Sequence, residues 1–528
     1  MAVLINSFAH RAIAEEVQGR AGITGTLLND PPQWAELRRR YAAYWSFFDG
    51  SVWDEKIRTQ KALSGKKKGE DQYRYPIQVN PVQPACLLHS HALWGEVRMN
   101  TDPLMRVVAE ARAKNDFQTG IADRANEVLQ TIAYENFMRT MQLEAGLVTQ
   151  VLGGTVFKYS YAPSDPFLTV PIRVENLLPD YFWAVPRPGS QGMRLSMAKV
   201  GFLISASDAL LFYPNAEGIS ALRGDEFEYL EEWTESGYSI RLQEKMGGLA
   251  GIRGPKTAWI QKPAANPFKL VPFVYIPHIR AGSFWGLTFI EQVMELAREI
   301  NSRYADFGDA IRAGTHRKLW TSNQRTPIAV KQFGTGENYL DLGTSGPGND
   351  KPELNALDPP DIPEGYMKLA DSLMELLRIA MFTPSAGYGE LSGTQRSSET
   401  LYGLVWPLEA HINGERIQWT TGLSVGADIA LRMLAAKEQA GINDTHVGLR
   451  MRGDWAPIFP KSRQALTQEL VQRKQVGQVS TPTALAQYGD VPESEIEEEA
   501  KRIEEEMKAE AELTAKAKAA AQPSTPSK

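Results

Sequence analysis

The sequence predicts an α+β fold, and three observations lead there. Over residues 33–48 and again from 102 to about 147 the apolar residues recur at helical spacing. From Gly153 they alternate instead, Thr155-Val-Phe-Lys-Tyr-Ser-Tyr161, which is the period-2 pattern of a half-buried strand. Residues 287–313 then contain no proline and a single glycine, Gly308, in a 3.6-residue apolar period that only a long helix satisfies. The chain has 528 residues, a length that ordinarily divides into two to four structural units.

Taken in order, residues 33–48 (QWAELRRRYAAYWSFF) place Trp34, Leu37, Tyr41, Tyr44, Trp45 and Phe48 on one helical face, a buried-face helix of aromatic weight. Residues 56–74 are basic and turn-rich around Lys66-Lys67-Lys68, a pattern that usually marks a solvated loop. Residues 102–147 read as helical. After the strand at 155–161, further strands are expected at 182–185, 199–204, 227–234, 238–244 and 270–277, with Glu235-Ser236-Gly237 as a hairpin turn. The helix at 287–313 spans about 40 Å at 1.5 Å per residue. Glu299 stands four residues before Arg303 on it, the favourable order for an ion pair, and Gly314 ends it. Residues 316–363 carry short β-like pieces at 318–321, 328–330 and 338–342 among glycines and prolines, a small protruding module. The helix at 364–382 gathers Leu369, Leu373, Leu376, Leu377 and Ala380 on one face and stops before Pro384. Residues 385–395 (SAGYGELSGTQ) form a flexible loop. Residues 397–436 are helical, with a bend or break expected near Val405 because Pro407 removes a backbone donor. Two short helices fill 460–489, with Ser480 or Thr481 capping the one that opens at Pro482. A charged, alanine-rich helix at 494–521 has too few apolar residues for a core face, and the last seven residues are expected to fray.

Composition narrows the function. The single cysteine, Cys86, excludes an intramolecular disulfide framework and a four-cysteine zinc site, and fits a reducing compartment. No uninterrupted apolar run approaches the roughly 20 residues of a membrane span, so a soluble, non-secreted protein without membrane partners is expected. Net charge is −6, which argues against tight nucleic-acid binding through many neutralised phosphates. Residues 491–528 hold ten Glu and six Lys or Arg, net −4, and leave −2 for the other 490 residues.

Catalytic and metal signatures are few and weak. Residues 248–257 (GLAGIRGPKT) approach the phosphate-loop pattern, but Pro255 stands where its second glycine should be and deletes a backbone donor from the cradle. Gly422-Leu-Ser424-Val-Gly426 matches the nucleophile elbow literally. That motif needs a strand before the serine and a helix after it, whereas Ser424 lies mid-helix, with His446 as the one later histidine and Asp428 and Asp444 as candidate orienting acids. Small residues easing helix packing are the ordinary reading of those glycines. His89 and His91 could share one side of a strand, but no third ligand has recognisable spacing. No catalytic residue, metal or cofactor is assigned.

The order of elements carries more. PFVYIPHIRAGSFWGLTFIEQVMELAREINSRYADFGDAIRAG (272–314), with Gly286 and Asn301, TPSAGYGELSGTQRSSETLYGLVWPLEAHINGERIQW (383–419), and QELVQRKQVGQVSTPTALAQYGD (468–490) resemble the portal proteins of tailed bacteriophages, the head-to-tail connectors. The resemblance covers about residues 33–490 through element order and weak motifs. It implies an α/β wing (1–284), two stem helices (285–313 and 364–383) and a small β-rich clip (314–363). It also implies a tunnel loop (384–396), a kinked long helix with wing return (397–459) and a helical crown (460–490). The charged tail 491–528 has no counterpart in that plan. The family's function then implies a non-enzymatic ring, twelvefold in that family's habit, at one capsid vertex of the virion, assembled in the host cytoplasm. Its partners would be double-stranded DNA in the channel, the large terminase subunit, the major capsid or scaffolding protein, and a head-completion or tail adaptor protein. Tyr388, Glu390, Leu391, Gln395 and Arg396 would face the bore; Lys331, Gln332, Thr335, Glu337 and Asn338 would dock the terminase or adaptor; Glu295, Arg298, Glu299 and Arg303 would pack neighbouring stems. The alternatives are a virion assembly or scaffold protein without a channel, and a serine hydrolase acting through Ser424.

Overall fold

The structure, a computed structural model, describes residues 32–53, 79–95, 103–113, 115–244, 256–315, 319–322, 339–341, 353–356, 364–384, 398–458, 463–475, 479–488 and 496–520. The chain divides into two units, residues 1–94 with 101–455, and residues 95–100 with 456–528.

In the first unit, α1 (Pro32–Asp49) and α2 (Val82–Trp94) precede a strand, β1 (Met105–Glu110). The expected continuous helix over 102–147 is therefore corrected: a strand comes first, then α3 (Asp116–Glu135) and α4 (Met138–Leu152). Met-Arg-Val-Val-Ala-Glu has β-branched residues, but what holds it extended is remote. It pairs antiparallel with β13 (Arg450–Trp455), Met105 opposite Trp455 and Glu110 opposite Arg450. The buried Gln142 amide adds to this, accepting from Leu104 N at 2.7 Å and donating to Met105 O at 2.9 Å. Helix α4 ends at Gly153, whose φ of 78° is the left-handed C-cap that a residue with a Cβ resists.

Two antiparallel sheets follow. β2 (Gly154–Tyr161) lies between β3 (Ile172–Leu177) and β9 (Phe273–Pro277). A five-stranded meander runs β4 (Phe182–Pro186), β5 (Leu195–Ser205), β6 (Glu226–Thr234), β7 (Gly237–Glu244) and β8 (Thr257–Ala265), with α5 (Ala206–Phe212) after β5. The hairpin expected at Glu235-Ser236-Gly237 is present, with Trp233 opposite Tyr238 and the Thr234 hydroxyl bonded to both Gly237 N and O. β3 and β8 were not read from the sequence. The sheets are tied by a buried ion pair: Lys158 on β2 meets Glu231 on β6 at 2.9 Å, and Tyr229 and Trp233 donate to the same carboxylate. Its stabilising value depends on those extra donors, because burial strips both charges of water.

Beyond β9, α6 (Phe289–Thr315) begins within two residues of the expected boundary and continues through Gly314. A small sheet in the order β11-β10-β12 follows, from β10 (Leu319–Ser322), β11 (Tyr339–Asp341) and β12 (Glu353–Ala356). The piece expected at 328–330 lies outside the described residues. α7 (Glu364–Ala380) then packs on α6. The long helix α8 (Ser398–Ala435) is continuous through Pro407, so the helix is not broken there.

The main core unites aromatic α1 with α2, α4, α6 and α7, around Phe47, Trp53, Leu152, Phe289, Val293 and Leu377. The second unit contains α9 (Arg463–Gln475), α10 (Thr481–Tyr488) and α11 (Ile496–Ala520), α10 packing on both others. Its buried apolar residues include Leu470, Ile496 and Ala500, while Met507 and Leu513 farther along α11 are exposed, as its charged composition implies. No described helix is long and apolar enough to cross a membrane.

Candidate functional site

The residues carried over from the family plan fall into two groups. Tyr388, Glu390, Leu391, Gln395 and Arg396, and likewise Lys331, Gln332, Thr335, Glu337 and Asn338, lie outside the described residues. So do the basic run 66–68 and residues 248–255 of the phosphate-loop-like segment. The four stem residues are described. Glu295 pairs with Arg298, and Glu299 pairs with Arg303 at 2.7 Å in the expected i,i+4 arrangement. Arg298 also stands 5.0 Å over the Phe47 ring, so part of its contact is within its own subunit. Asn301 on the same helix is buried, its amide accepting from Val79 N and donating to Val79 O, both at 2.9 Å.

The apolar faces of α6 and α7 are more telling. On α6, Phe289, Ile290, Val293, Ala297 and Ile300 are buried at helical spacing. On α7, Leu377 is buried, and Leu373, Met374 and Ala380 pack against the same core. The single face expected from 364–382 is split, however. Leu369, Leu376 and Ile379 turn away and are 44%, 54% and 63% exposed. These positions lie about one and two turns apart and form one strip beside the buried one. Covering such side chains fully is worth about 1.5–3 kcal/mol each.

A second constellation was not legible beforehand. His89 is on α2, a helix rather than the expected strand, and it is buried while His91 is exposed, so they are not a pair. His89 instead donates from Nε2 to Met381 O at 2.6 Å and packs against Phe289 and His411. His278 follows β9, and His411 and Glu415 stand one turn apart on α8. His278 Nδ1 lies 3.0 Å from Leu287 O, which can only accept, so the proton of that ring is on Nδ1 and Nε2 keeps its lone pair. Nε2 is 3.4 Å from His411 Nε2 and 3.9 Å from Glu415 Oε2. Gln150 donates to both Glu415 oxygens, at 2.8 and 2.9 Å.

Burial sets the charges here. It pushes His89 down to about 3, with help from His411, brings His411 down to about 4, and holds His278 well below the ordinary histidine value. Burial also pushes Glu415 up to about 8, against the opposing Gln150 hydrogen bonds. Burial thus favours the neutral form of all three imidazoles and of the Glu415 carboxyl. Of His278, His411 and Glu415, only His411 is partly exposed. The one sequence signal that could have pointed here is His411-x-x-x-Glu415, which places two ligand types on one helix face.

Ser424 lies inside α8, so the strand-turn-helix of a nucleophile elbow is absent around it. Its Oγ has no hydrogen-bond partner, and His446 Nδ1 is engaged with Asn443, which it caps. The two glycines serve packing. A Cβ at Gly422 would lie 2.5 Å from Ile276 Cγ1 on β9, and one at Gly426 would overlap the Tyr159 ring on β2. A cavity of about 180 Å³ near β1, α3 and α8 has Asn126 and Gln142 among its lining residues. Both amides are occupied by the β1 backbone.

No protein-family model matches the sequence, and no curated protein matches it.

Proposed function

We propose that this chain is a portal-type subunit that assembles with copies of itself into a ring at a capsid vertex and serves as a conduit for double-stranded DNA. On this reading it is not an enzyme. A terminase motor supplies the work, and capsid or scaffolding and tail-adaptor proteins bind the ring. The observation that carries the proposal is the uncovered strip Leu369, Leu376 and Ile379 on a helix whose other apolar face is already satisfied within the subunit. A copy of the same chain is the natural cover. In a ring the contact is head-to-tail, the strip meeting a different surface of the neighbour with a rotation that closes.

The element order gives further support: a body, a long helix, a small three-stranded sheet, a returning helix packed on the first, and a 38-residue helix leading back. So does the charge, because a net −6 per subunit keeps a duplex from being gripped and lets it slide.

Negative-stain images and mass photometry of the purified full chain test the assembly. Rings of about a dozen subunits with a central hole are expected. A monomer that persists at high concentration overturns the proposal, and a closed assembly without a hole favours the scaffold alternative.

A further inference from the structure

We propose that His278, His411 and Glu415 form a binding site for one divalent transition-metal ion of the zinc class, which fastens the long helix α8 to the end of β9 at the root of the stem. This goes beyond the portal reading and does not depend on it.

The donor set is right for such an ion. Two imidazole nitrogens and one carboxylate oxygen suit zinc and its neighbours, whereas calcium and magnesium prefer all-oxygen shells. The spacing is also right. Ligand atoms 2.0–2.2 Å from a tetrahedral centre lie about 3.3–3.6 Å from one another. His278 Nε2 and His411 Nε2 are 3.4 Å apart, and His278 Nε2 and Glu415 Oε2 are 3.9 Å apart. All three ligand atoms lie within 4.8 Å of one another, so a shift of about an ångström at most closes the set.

The surroundings already orient these groups as metal ligands are oriented. Ligating histidines characteristically donate their other ring N–H to a carbonyl or carboxylate, and ligating carboxylates are themselves hydrogen-bonded. His278 donates from Nδ1 to Leu287 O, which turns its Nε2 lone pair toward His411. Gln150 on α4 holds Glu415. His411 and Glu415, at i and i+4, share one face of α8.

The consequence is mechanical. Leu287 immediately precedes the helix-opening segment of α6, and Thr288 bonds to Gln150 O and Val151 O at 2.8 Å. An ion at this place therefore connects the sheet, the start of the stem and α8 at a single point. With three protein ligands the fourth position is left to water, and the partly exposed His411 marks the side from which an ion enters.

The test uses the full chain, stripped with chelator, dialysed and titrated with Zn²⁺ alone, with Co²⁺ as a spectroscopic probe. The expected result is one Zn²⁺ per chain, a raised melting temperature, and visible Co²⁺ bands of four-coordinate intensity. His411→Ala and Glu415→Gln should each weaken binding at least tenfold, and His91→Ala, on the exposed histidine, should leave it unchanged. Glu415→Gln keeps the shape of the side chain and removes only a ligating oxygen, so it reports on ligation even if His411→Ala fails to fold. No stoichiometric binding by the wild type, or equal binding by Glu415→Gln, overturns the proposal. Ring formation is scored separately on the same samples, so loss of metal with intact rings refutes the site and leaves the portal reading standing.

Discussion

Helices α7 and α8 follow one another in the chain, yet they resolve their apolar residues differently. The second half of α8 is enclosed by its own subunit: Trp419, Ala430, Leu431 and Leu434 are at most 1% exposed, and Gly422 and Gly426 let it press against β9 and β2. α7 buries one strip and leaves a second, almost as apolar, in water. One helix is finished by intramolecular folding; the other leaves Leu369, Leu376 and Ile379 exposed. On the proposed reading, the body carries the stability and α7 carries the capacity to associate.

The contrast can be broken most severely in the body. Trp419→Ala removes a ring that lies edge-on to Trp94 at 4.9 Å and Phe157 at 6.1 Å, and should cost about 3–5 kcal/mol in denaturant unfolding. A change below about 1 kcal/mol would mean that α8 is not enclosed as described. Two adjacent leucines on α7 sharpen the comparison. Leu377→Ala should cost about 2–5 kcal/mol in the subunit. Leu376→Ala should stay within about 0.5 kcal/mol in the subunit while shifting assembly toward monomer in mass photometry. If the two variants behave alike, the two strips are not distinct.

Thiol labelling separates the regions more gently. Cys86 is buried, and burial pushes its thiol up to about 12, so it should resist labelling at pH 8 until the protein is unfolded. A cysteine placed by Leu376→Cys should label at once in the monomer and slowly in the assembled form. Equal rates in both forms would remove the strip from the interface. The smallest effect belongs to the expected stem charges. Glu299→Ala breaks an exposed i,i+4 pair with Arg303 and should cost only about 0.3–0.5 kcal/mol by thermal unfolding.

Elements that carry their own periodicity were legible in the sequence: α1, α6, α8, α11 and the hairpin at Glu235-Ser236-Gly237 all stand close to where local spacing placed them. β1 was not, because Met105–Glu110 owes its extended form to a partner near residue 450 and borders a long helical stretch. α7 was legible as a helix but not as a two-faced one, since composition cannot tell which leucines the subunit itself covers. Of the candidate sites, the charged pairs on α6 could be placed, whereas the histidine and glutamate cluster was hidden by the separation of 133 positions from His278 to His411. Tertiary folding, not spacing, brings them together.

The pairing of β1 with β13 also sets an order of events during synthesis. Residues 105–110 leave the ribosome long before residues 450–455 exist to meet them. At about 5–20 residues per second that interval is roughly 20–70 s. β1 is without its partner throughout, and over the last part of the interval, after residue 380, α6 and α7 have also been made, the exposed Leu369, Leu376 and Ile379 included. A nascent chain in this state exposes the α7 strip while its body is still open, so if that strip is the proposed contact between copies, the timing of translation bears on when association can begin.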